Sequence, residues 1–280
     1  MSREDNVAVF RNTERFCKTN DRLKESIKKA TIGQRLILET DFVPEQNKFR
    51  FAEPVKIVVS NKRSYEAARG YLGQKVAVHN FASASNPGGG VERGANAQEE
   101  CLCRISGLFF SLNTPDMWSG FYGPHREAHN PIHNDDIIYT PGVTVFKTDT
   151  SNPTIMSETE WYEVDVITCA APNLRPHPNN NYNSGDGAAN VRISDKDLLA
   201  LHEKRLRRIF EVVISKGVES IILGAFGCGA FQNSPEVVAR AAKSVISEYR
   251  YAFRNIEFAV YCPPHDDSNY KVFNRVLGKM

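Results

Sequence analysis

The sequence predicts a three-layer α/β/α fold with a mixed central sheet. Short apolar runs alternate with amphipathic segments of helical period through most of the 280 residues, which is the pattern of an α/β domain. One run, Ile221-Ile222-Leu223, is apolar on both faces, as in a central strand covered from both sides. Two of the runs open directly into glycine-rich turns that precede helices, and this order is typical of anion-binding α/β domains.

The predicted elements follow one another along the chain. Residues 1–50 predict an N-terminal helical extension with a short strand at 36–38, and residues 51–280 predict the main domain. Strands are predicted in the main domain at 55–59, 75–80, 143–146, 164–169, 219–225 and 256–262. Helices are predicted at 65–71, from 97 onward, at 195–216, at 234–250 and near the C-terminus. Ser194 is the predicted N-cap of the third of these helices, and Gly217 is its predicted end.

Composition excludes several classes of protein. The formal net charge is +2, so the overall balance requires neither a nucleic acid nor a membrane surface as partner. Six cysteines lie mostly inside apolar runs and form no C-x-x-C pair, which predicts reduced core thiols. The sequence shows no signal peptide and no membrane-spanning stretch, and it therefore predicts a cytoplasmic protein.

The first candidate site spans residues 76–100, where a valine-rich strand is followed by three consecutive glycines and a helix start. Glycines in a row let a ligand approach main-chain N–H groups, and Asn96 is the predicted N-cap of the helix. The candidate residues are the glycine triplet and a Gln-Glu-Glu triplet in the first helical turn: Gly88, Gly89, Gly90, Gln98, Glu99 and Glu100.

The adjacent carboxylates Glu99 and Glu100 carry the chemical hypothesis. Phosphate oxygens repel carboxylates, so a pair of glutamates beside an anion loop indicates recognition of sugar hydroxyls or acid–base chemistry on a sugar. The alternative is that both acids only complement the positive end of the helix dipole. The dipole favours the ionised form, whereas mutual repulsion and burial would raise the pKa of one carboxyl as a general acid requires.

The second candidate site is the segment GAFGCGAFQN, which follows the buried strand at 219–225. Successive main-chain N–H groups in such a turn form an anion nest suited to a diphosphate. The alternatives are a tight turn common to α/β domains, and for the last residue a core phenylalanine. A dinucleotide fingerprint fits poorly because the expected acidic residue further on is missing. The candidate residues are Gly227, Cys228, Gly229, Ala230 and Phe231.

Two other segments show no clear period. His125, His129 and His133 are four residues apart and would align as metal ligands on one helix. Pro124 and Pro131 argue against a continuous helix, so residues 113–142 are interpreted as a surface loop at the substrate rim, without a metal. Residues 171–192 are interpreted as a long loop that forms a lid or rim near the pocket.

These motifs carry a resemblance to a known family. The phrase NFASASNPGGGVERGANAQEE resembles the signature of microbial-type poly(ADP-ribose) glycohydrolases, and GAFGCGAFQN is similar to the diphosphate-binding loop of macrodomain glycohydrolases. The resemblance implies a macrodomain over residues 51–280, with residues 1–50 as an N-terminal extension packed on it. Ser83 stands within the first motif where animal relatives carry an asparagine.

The resemblance also implies a function. The expected activity is hydrolysis of the ribose–ribose O-glycosidic bonds of poly(ADP-ribose), from the chain end, with ADP-ribose as product and no cofactor or metal. Glu100 would be the general acid and Glu99 would bind ribose hydroxyls. Ser83, Gln98 and the first glycine triplet would complete the ribose contacts, and Phe231 would pack near the diphosphate. ADP-ribosylated protein would be the partner, and no obligate protein partner is expected.

Three alternative functions remain open from the sequence. The first is a mono-ADP-ribosyl hydrolase acting on modified protein or nucleic acid, because the same acid could serve a shorter substrate. The second is a non-catalytic ADP-ribose-binding macrodomain, although a binding module needs no paired carboxylates. The third is another nucleotide-binding α/β enzyme.

Overall fold

A seven-stranded mixed sheet forms the centre of the protein. The computed structural model describes residues 1–179, 185–263 and 265–280. The strands of the described chain are β1 (Arg35–Ile37), β2 (Lys56–Ser60), β3 (Val76–Ala82), β4 (Ile137–Val145), β5 (Tyr162–Ala170), β6 (Ser220–Leu223) and β7 (Asn255–Ala259). Their spatial order is β1-β4-β5-β3-β6-β7-β2. β5, β3, β6, β7 and β2 run parallel, and β1 and β4 are antiparallel to their neighbours.

Helices cover both faces of this sheet. In the described residues these are α1 (Arg3–Thr19), α2 (Asp21–Gly33), α3 (Ser64–Ala68), α4 (Gln98–Ile105), α5 (Leu108–Leu112), α6 (Pro115–Met117), α7 (Gly123–Ala128), α8 (Asp195–Ser215), α9 (Pro235–Glu248) and α10 (Ser268–Leu277). Short 3₁₀ turns occur at Arg69–Tyr71 and Val91–Arg93, and a π turn at Trp118–Tyr122. No helix in these ranges has both the length and the apolar character needed to cross a membrane.

Two separate hydrophobic cores lie on the two faces of the sheet. Successive side chains of a strand point to opposite faces. Accordingly, Val76 and Val78 of β3 join the core that includes side chains of the N-terminal helices, whereas Ala77 joins the core that includes α8, α9 and α10. The layers are therefore helix, sheet and helix, and the predicted α/β/α class with a mixed sheet is confirmed.

The N-terminal helices share the first of these cores. Phe10, Cys17 and Leu23 are 1%, 3% and 0% exposed, and all three belong to the core that covers β3, β4 and β5. The division of the chain into residues 1–50 and 51–280 stays a prediction. We propose that the two parts unfold together, because neither buries its apolar surface without the other.

Substitution of Phe10 by alanine tests this shared core. Because truncating a buried phenylalanine leaves a cavity, the free energy of unfolding should fall by about 3–5 kcal/mol. Chemical denaturation should still give one cooperative transition. Phe42→Ala is the matched control, since Phe42 is 88% exposed and its loss should change stability by about 0.5 kcal/mol or less. Two resolved transitions in the Phe10 variant would contradict a shared core.

Three local predictions were wrong. Ala97, not Asn96, is the N-cap of α4, because the side chain of Asn96 accepts a hydrogen bond from the buried Arg104 (2.6 Å). β4 begins six residues earlier than predicted, since a register shift between Thr140 and Val143 lets the strand continue through a Pro-Gly pair. Residues 113–142 contain α6, the π turn and α7 in place of a loop.

The second segment interpreted as a loop has neither helix nor strand in its described parts, residues 171–179 and 185–192. Residues 180–184 of this interpretation lie outside the described chain. All six cysteines are free thiols, and four of them are buried.

Candidate active site

A cleft of about 660 Å³ opens at the carboxyl ends of the parallel strands. Its wall includes the last residues of β3 and β7 and the turn that follows β6, which is where open α/β sheets bind ligands. Most of the predicted site residues line this cleft: Ser83, Gly89, Gln98, Glu99, Glu100, Gly227, Gly229, Ala230 and Phe231. Of the predicted residues, all within the described chain, Gly88, Gly90 and Cys228 lie outside the lining.

Gln98 attaches the first turn of α4 to the end of β3. Its Oε1 accepts the main-chain N–H of Phe81 (2.9 Å), and its Nε2 donates to the carbonyl of His79 (2.8 Å) and to Oγ of Ser64 (3.0 Å). The side-chain amide thus pairs with β3 as a neighbouring strand would. The position of the two glutamates that follow is set by this pairing.

Glu99 is buried and held by neutral donors. Its side chain is 2% exposed, and its Oε2 accepts the main-chain N–H of Ser83 (2.7 Å). Its Oε1 accepts Nδ2 of the fully buried Asn80 (3.2 Å), which also donates to Oγ1 of Thr168 (3.2 Å). In the described chain, no arginine or lysine forms an ion pair with this carboxyl.

Glu100 contacts the first glycine loop, residues 88–90. Its Oε1 accepts the main-chain N–H of Gly90 (2.9 Å), and the residue is 7% exposed. Gly89 has φ +59°, and a Cβ placed there would lie 2.5 Å from Oε1 of Glu100. Glycine is therefore required for the close approach between loop and carboxyl.

Burial decides the protonation of the pair. Desolvation, followed by the charge of Glu100, raises the pKa of Glu99 to about 8. Desolvation also raises the pKa of Glu100 above its usual value, and the hydrogen bond from Gly90 opposes this shift. Burial therefore outweighs the hydrogen bonds that favour the ionised form, and a carboxyl in this site can hold a proton near neutral pH.

The raised pKa predicts a pH-dependent stability. Between pH 4.5 and 8 the folded protein holds a proton on Glu99 that the unfolded chain has released, so wild-type stability falls as pH rises. Glu99→Gln removes this titration. The difference in Tm between the ligand-free variant and wild type should therefore increase, in favour of the variant, between pH 5 and pH 8. We expect an increase of at least about 2–4 °C, because one pKa unit is worth about 1.4 kcal/mol. A Tm difference that is independent of pH would contradict the assignment.

The second glycine loop, residues 227–231, faces the cleft from the end of β6. Gly227 has φ +76°, and a Cβ there would lie 2.7 Å from both Ala171 and the side chain of Asn233. The main-chain N–H groups of Gly229, Ala230 and Phe231 donate no hydrogen bond to any described residue. These three groups are available to an anion in the cleft.

Several cleft residues were missed by the sequence analysis. Three arginines line the cleft, Arg3, Arg63 and Arg175. The guanidinium carbon of Arg63 lies 4.1 Å from the centre of the Tyr261 ring, and that of Arg175 lies 5.8 Å from the centre of the Phe231 ring. Arg63 and Tyr261 follow the ends of β2 and β7, so inspection of every strand end could have found them. Arg3, at the start of α1, has no such signal.

The three histidines do not form a metal site. α7 ends at Ala128, and both ring nitrogens of His125 lie 2.8 Å from protein oxygens of Phe121 and Asn134. Nδ1 of His133 lies 2.7 Å from the carbonyl of Ala171. Within the ranges that the structure describes, no three His, Cys, Asp or Glu side chains are grouped so as to hold a metal ion.

A pair of buried carboxyls with raised pKa values can perform acid–base chemistry on a sugar acetal, and the neighbouring loop offers N–H groups to an anion. With a three-layer fold and a cleft at its strand ends, this defines a macrodomain-type glycosidase. The chain belongs to the microbial-type PARG family, whose catalytic domain profile matches residues 5–148. PARG stands for poly(ADP-ribose) glycohydrolase.

Solved structures of this family are similar over nearly the whole chain. The poly(ADP-ribose) glycohydrolase of Thermomonospora curvata is 27% identical, with a TM-score of 0.83 over 98% of this chain and 100% of that chain. The same enzyme bound to the inhibitor ADP-HPD is 28% identical, with a TM-score of 0.79 over 97% and 99%. The Deinococcus radiodurans enzyme in complex with ADP-ribose is 30% identical, with a TM-score of 0.73 over 90% and 97%. No curated protein matches the sequence.

Proposed function

We propose that the protein hydrolyses the ribose–ribose O-glycosidic bonds of poly(ADP-ribose) from the chain end and releases ADP-ribose. The observation that carries this proposal is the arrangement of one cleft. Two buried carboxyls lie at the first glycine loop, and three main-chain N–H groups at the second have no acceptor among the described residues. The similar Deinococcus radiodurans enzyme in complex with ADP-ribose supports it.

Glu100 is the proposed catalytic acid. It protonates the oxygen of the leaving ribose, and as a carboxylate it then activates the water that attacks the oxocarbenium-like carbon. Its raised pKa supports the first step. The N–H of Gly90 holds Oε1 in place and stabilises the carboxylate that forms after proton transfer.

Glu99 is proposed to bind the hydroxyl groups of the scissile ribose. With a pKa of about 8 it carries a proton at neutral pH and can donate a hydrogen bond to a sugar oxygen. Ser83 lies beside it, and its main-chain N–H holds the carboxyl in register. Gln98 acts by positioning, because its amide is engaged by three protein partners.

The second glycine loop is proposed to bind the diphosphate of the terminal ADP-ribose unit. Main-chain N–H groups of Gly229, Ala230 and Phe231 would donate to phosphate oxygens, with Gly227 and Cys228 shaping the turn. Arg175, whose guanidinium carbon lies 5.8 Å from the centre of the Phe231 ring, adds positive charge. The ring of Phe231 would pack against the substrate beside the diphosphate.

Product analysis tests the reaction and its direction together. Purified protein is incubated with poly(ADP-ribose), and products are resolved by chain length at early times. Free ADP-ribose without short oligomers is expected from cleavage at the chain end. Early accumulation of oligomers would contradict the exo mode of cleavage but not the glycohydrolase activity itself. If the polymer stays intact while the protein binds ADP-ribose, mono-ADP-ribosylated protein or nucleic acid becomes the substrate to test.

A further inference from the structure

We propose that Asn233 and His202 are positioning residues that hold the second glycine loop in the conformation that binds a diphosphate. This inference rests on the proposed function of that loop. Neither residue lines the cleft, as far as the described chain shows. Asn233 acts through main-chain carbonyls of residues 227–231, and His202 acts through the side chain of Asn233.

One side-chain amide ties both ends of the loop together. Asn233 is 2% exposed, and its Nδ2 donates to the carbonyls of Gly227 (3.1 Å), Phe231 (3.3 Å) and Pro172 (2.7 Å). Its main-chain N–H also donates to the carbonyl of Gly227 (3.0 Å). The same residue therefore joins the loop to the segment that follows β5.

His202 orients this amide. Its Nε2 lies 2.8 Å from Oδ1 of Asn233, and the residue is 3% exposed. Because Oδ1 can only accept, Nε2 carries the hydrogen. Desolvation lowers the pKa of His202 to about 4, so the ring stays neutral at neutral pH. If the side-chain amide of Asn233 were flipped by 180°, its Oδ1 would face carbonyl oxygens and its Nδ2 would face the hydrogen on Nε2 of His202. Both contacts would be repulsive.

The clamp has a consequence for anion binding. Carbonyl oxygens repel phosphate, and the clamp holds those of Gly227 and Phe231 against Asn233. The N–H groups of the residues between them stay unpaired in the described chain. Loss of the clamp would leave each of the two carbonyls with one main-chain donor, Asn233 N–H for Gly227 and Leu174 N–H for Phe231. The loop would be held less firmly, so binding of the diphosphate should weaken while the catalytic carboxyls keep their places.

The test compares His202→Leu, His202→Gln and Asn233→Ala with wild type, using ADP-ribose and adenosine as probes. Leucine removes the donor, whereas the amide of glutamine can restore it. His202→Leu and Asn233→Ala should raise the Kd of ADP-ribose and the KM of the polymer at least about tenfold, with kcat changed less than about threefold. Adenosine, which lacks the diphosphate, should bind as it does to wild type. His202→Gln should recover most of the affinity.

The outcomes separate this inference from the proposed function. If a folded His202→Leu or Asn233→Ala protein bound ADP-ribose with wild-type affinity, the positioning role of these two residues would be rejected, and the proposed function would be unaffected. A parallel loss of ADP-ribose and adenosine binding would also overturn it, because general misfolding affects both probes. If the wild type itself bound no ADP-ribose, the function of the loop and this inference would fail together.

Discussion

Glu100→Gln should lower the turnover of poly(ADP-ribose) by about 10²–10⁴-fold and leave the affinity for ADP-ribose within a few fold of wild type. An amide cannot donate and take back a proton, and general acid–base catalysis typically contributes a factor of this size. The fold should be unchanged. The carbonyl oxygen of glutamine can still accept the N–H of Gly90, which now binds Oε1 of Glu100 (2.9 Å).

Glu92→Gln is the matched control for this substitution. Glu92 lies eight residues before Glu100 in the same segment and is exposed, so the same chemical change there should leave kcat at the wild-type value. Initial rates of ADP-ribose release measure the effect, and the Tm of each variant reports on folding. A folded Glu100→Gln protein that keeps more than about a few per cent of wild-type turnover would disprove the acid role.

Gly89→Ala should reduce kcat by about 100-fold, because it moves the catalytic carboxyl. The new Cβ would lie 2.5 Å from Oε1 of Glu100 and 3.3 Å from Oε2 of Glu99, so the loop or both carboxyls must shift. A displacement of about 1 Å from the reacting position can lower the rate about 10²-fold. The φ of +59° adds a strain of about 1–2 kcal/mol.

Gly217→Ala separates backbone strain from carboxyl displacement. Gly217 also has positive φ (+76°), but no atom lies within 4 Å of its added Cβ. This control should lose a similar amount of stability and keep full activity. Both variants are compared by kcat and by the free energy of unfolding. A Gly89→Ala enzyme with more than about a tenth of wild-type kcat would contradict the required close contact.

Elements with strong local signals were predicted well from the sequence. α8 begins after Ser194, whose side chain accepts the N–H of Asp197 (3.1 Å), and the chain turns at Gly217 with φ +76°. β3 begins one residue later than the predicted strand at 75–80 and extends two residues further. These elements depend on hydrophobic period and on capping groups, and both are properties of neighbouring residues.

Prediction failed where contacts between distant residues decided the local structure. Asn96 looks like an N-cap, yet its side chain binds Arg104, whose guanidinium also donates to the carbonyl of Ala95 (2.5 Å). Pro124 and Pro131 correctly argue against one helix through the three histidines, because α7 ends at Ala128. The loop prediction fails at Pro124 itself, which lies in the first turn of α7, where its missing N–H is harmless. Local propensity is a weak guide once tertiary packing competes with it.

The class of layers, the two glycine loops and most of the predicted cleft residues follow from the amino-acid sequence. These features are encoded in short motifs, since a strand, a glycine turn and a helix start lie within a few residues of one another. What those residues can do chemically depends on the packing of distant segments around them. Burial among distant segments raises the pKa values of Glu99 and Glu100. Segments far apart in the chain also supply the clamp of Asn233 and His202 and the three arginines of the cleft. Burial and electrostatic fields depend on everything packed around a group, so no local pattern specifies them.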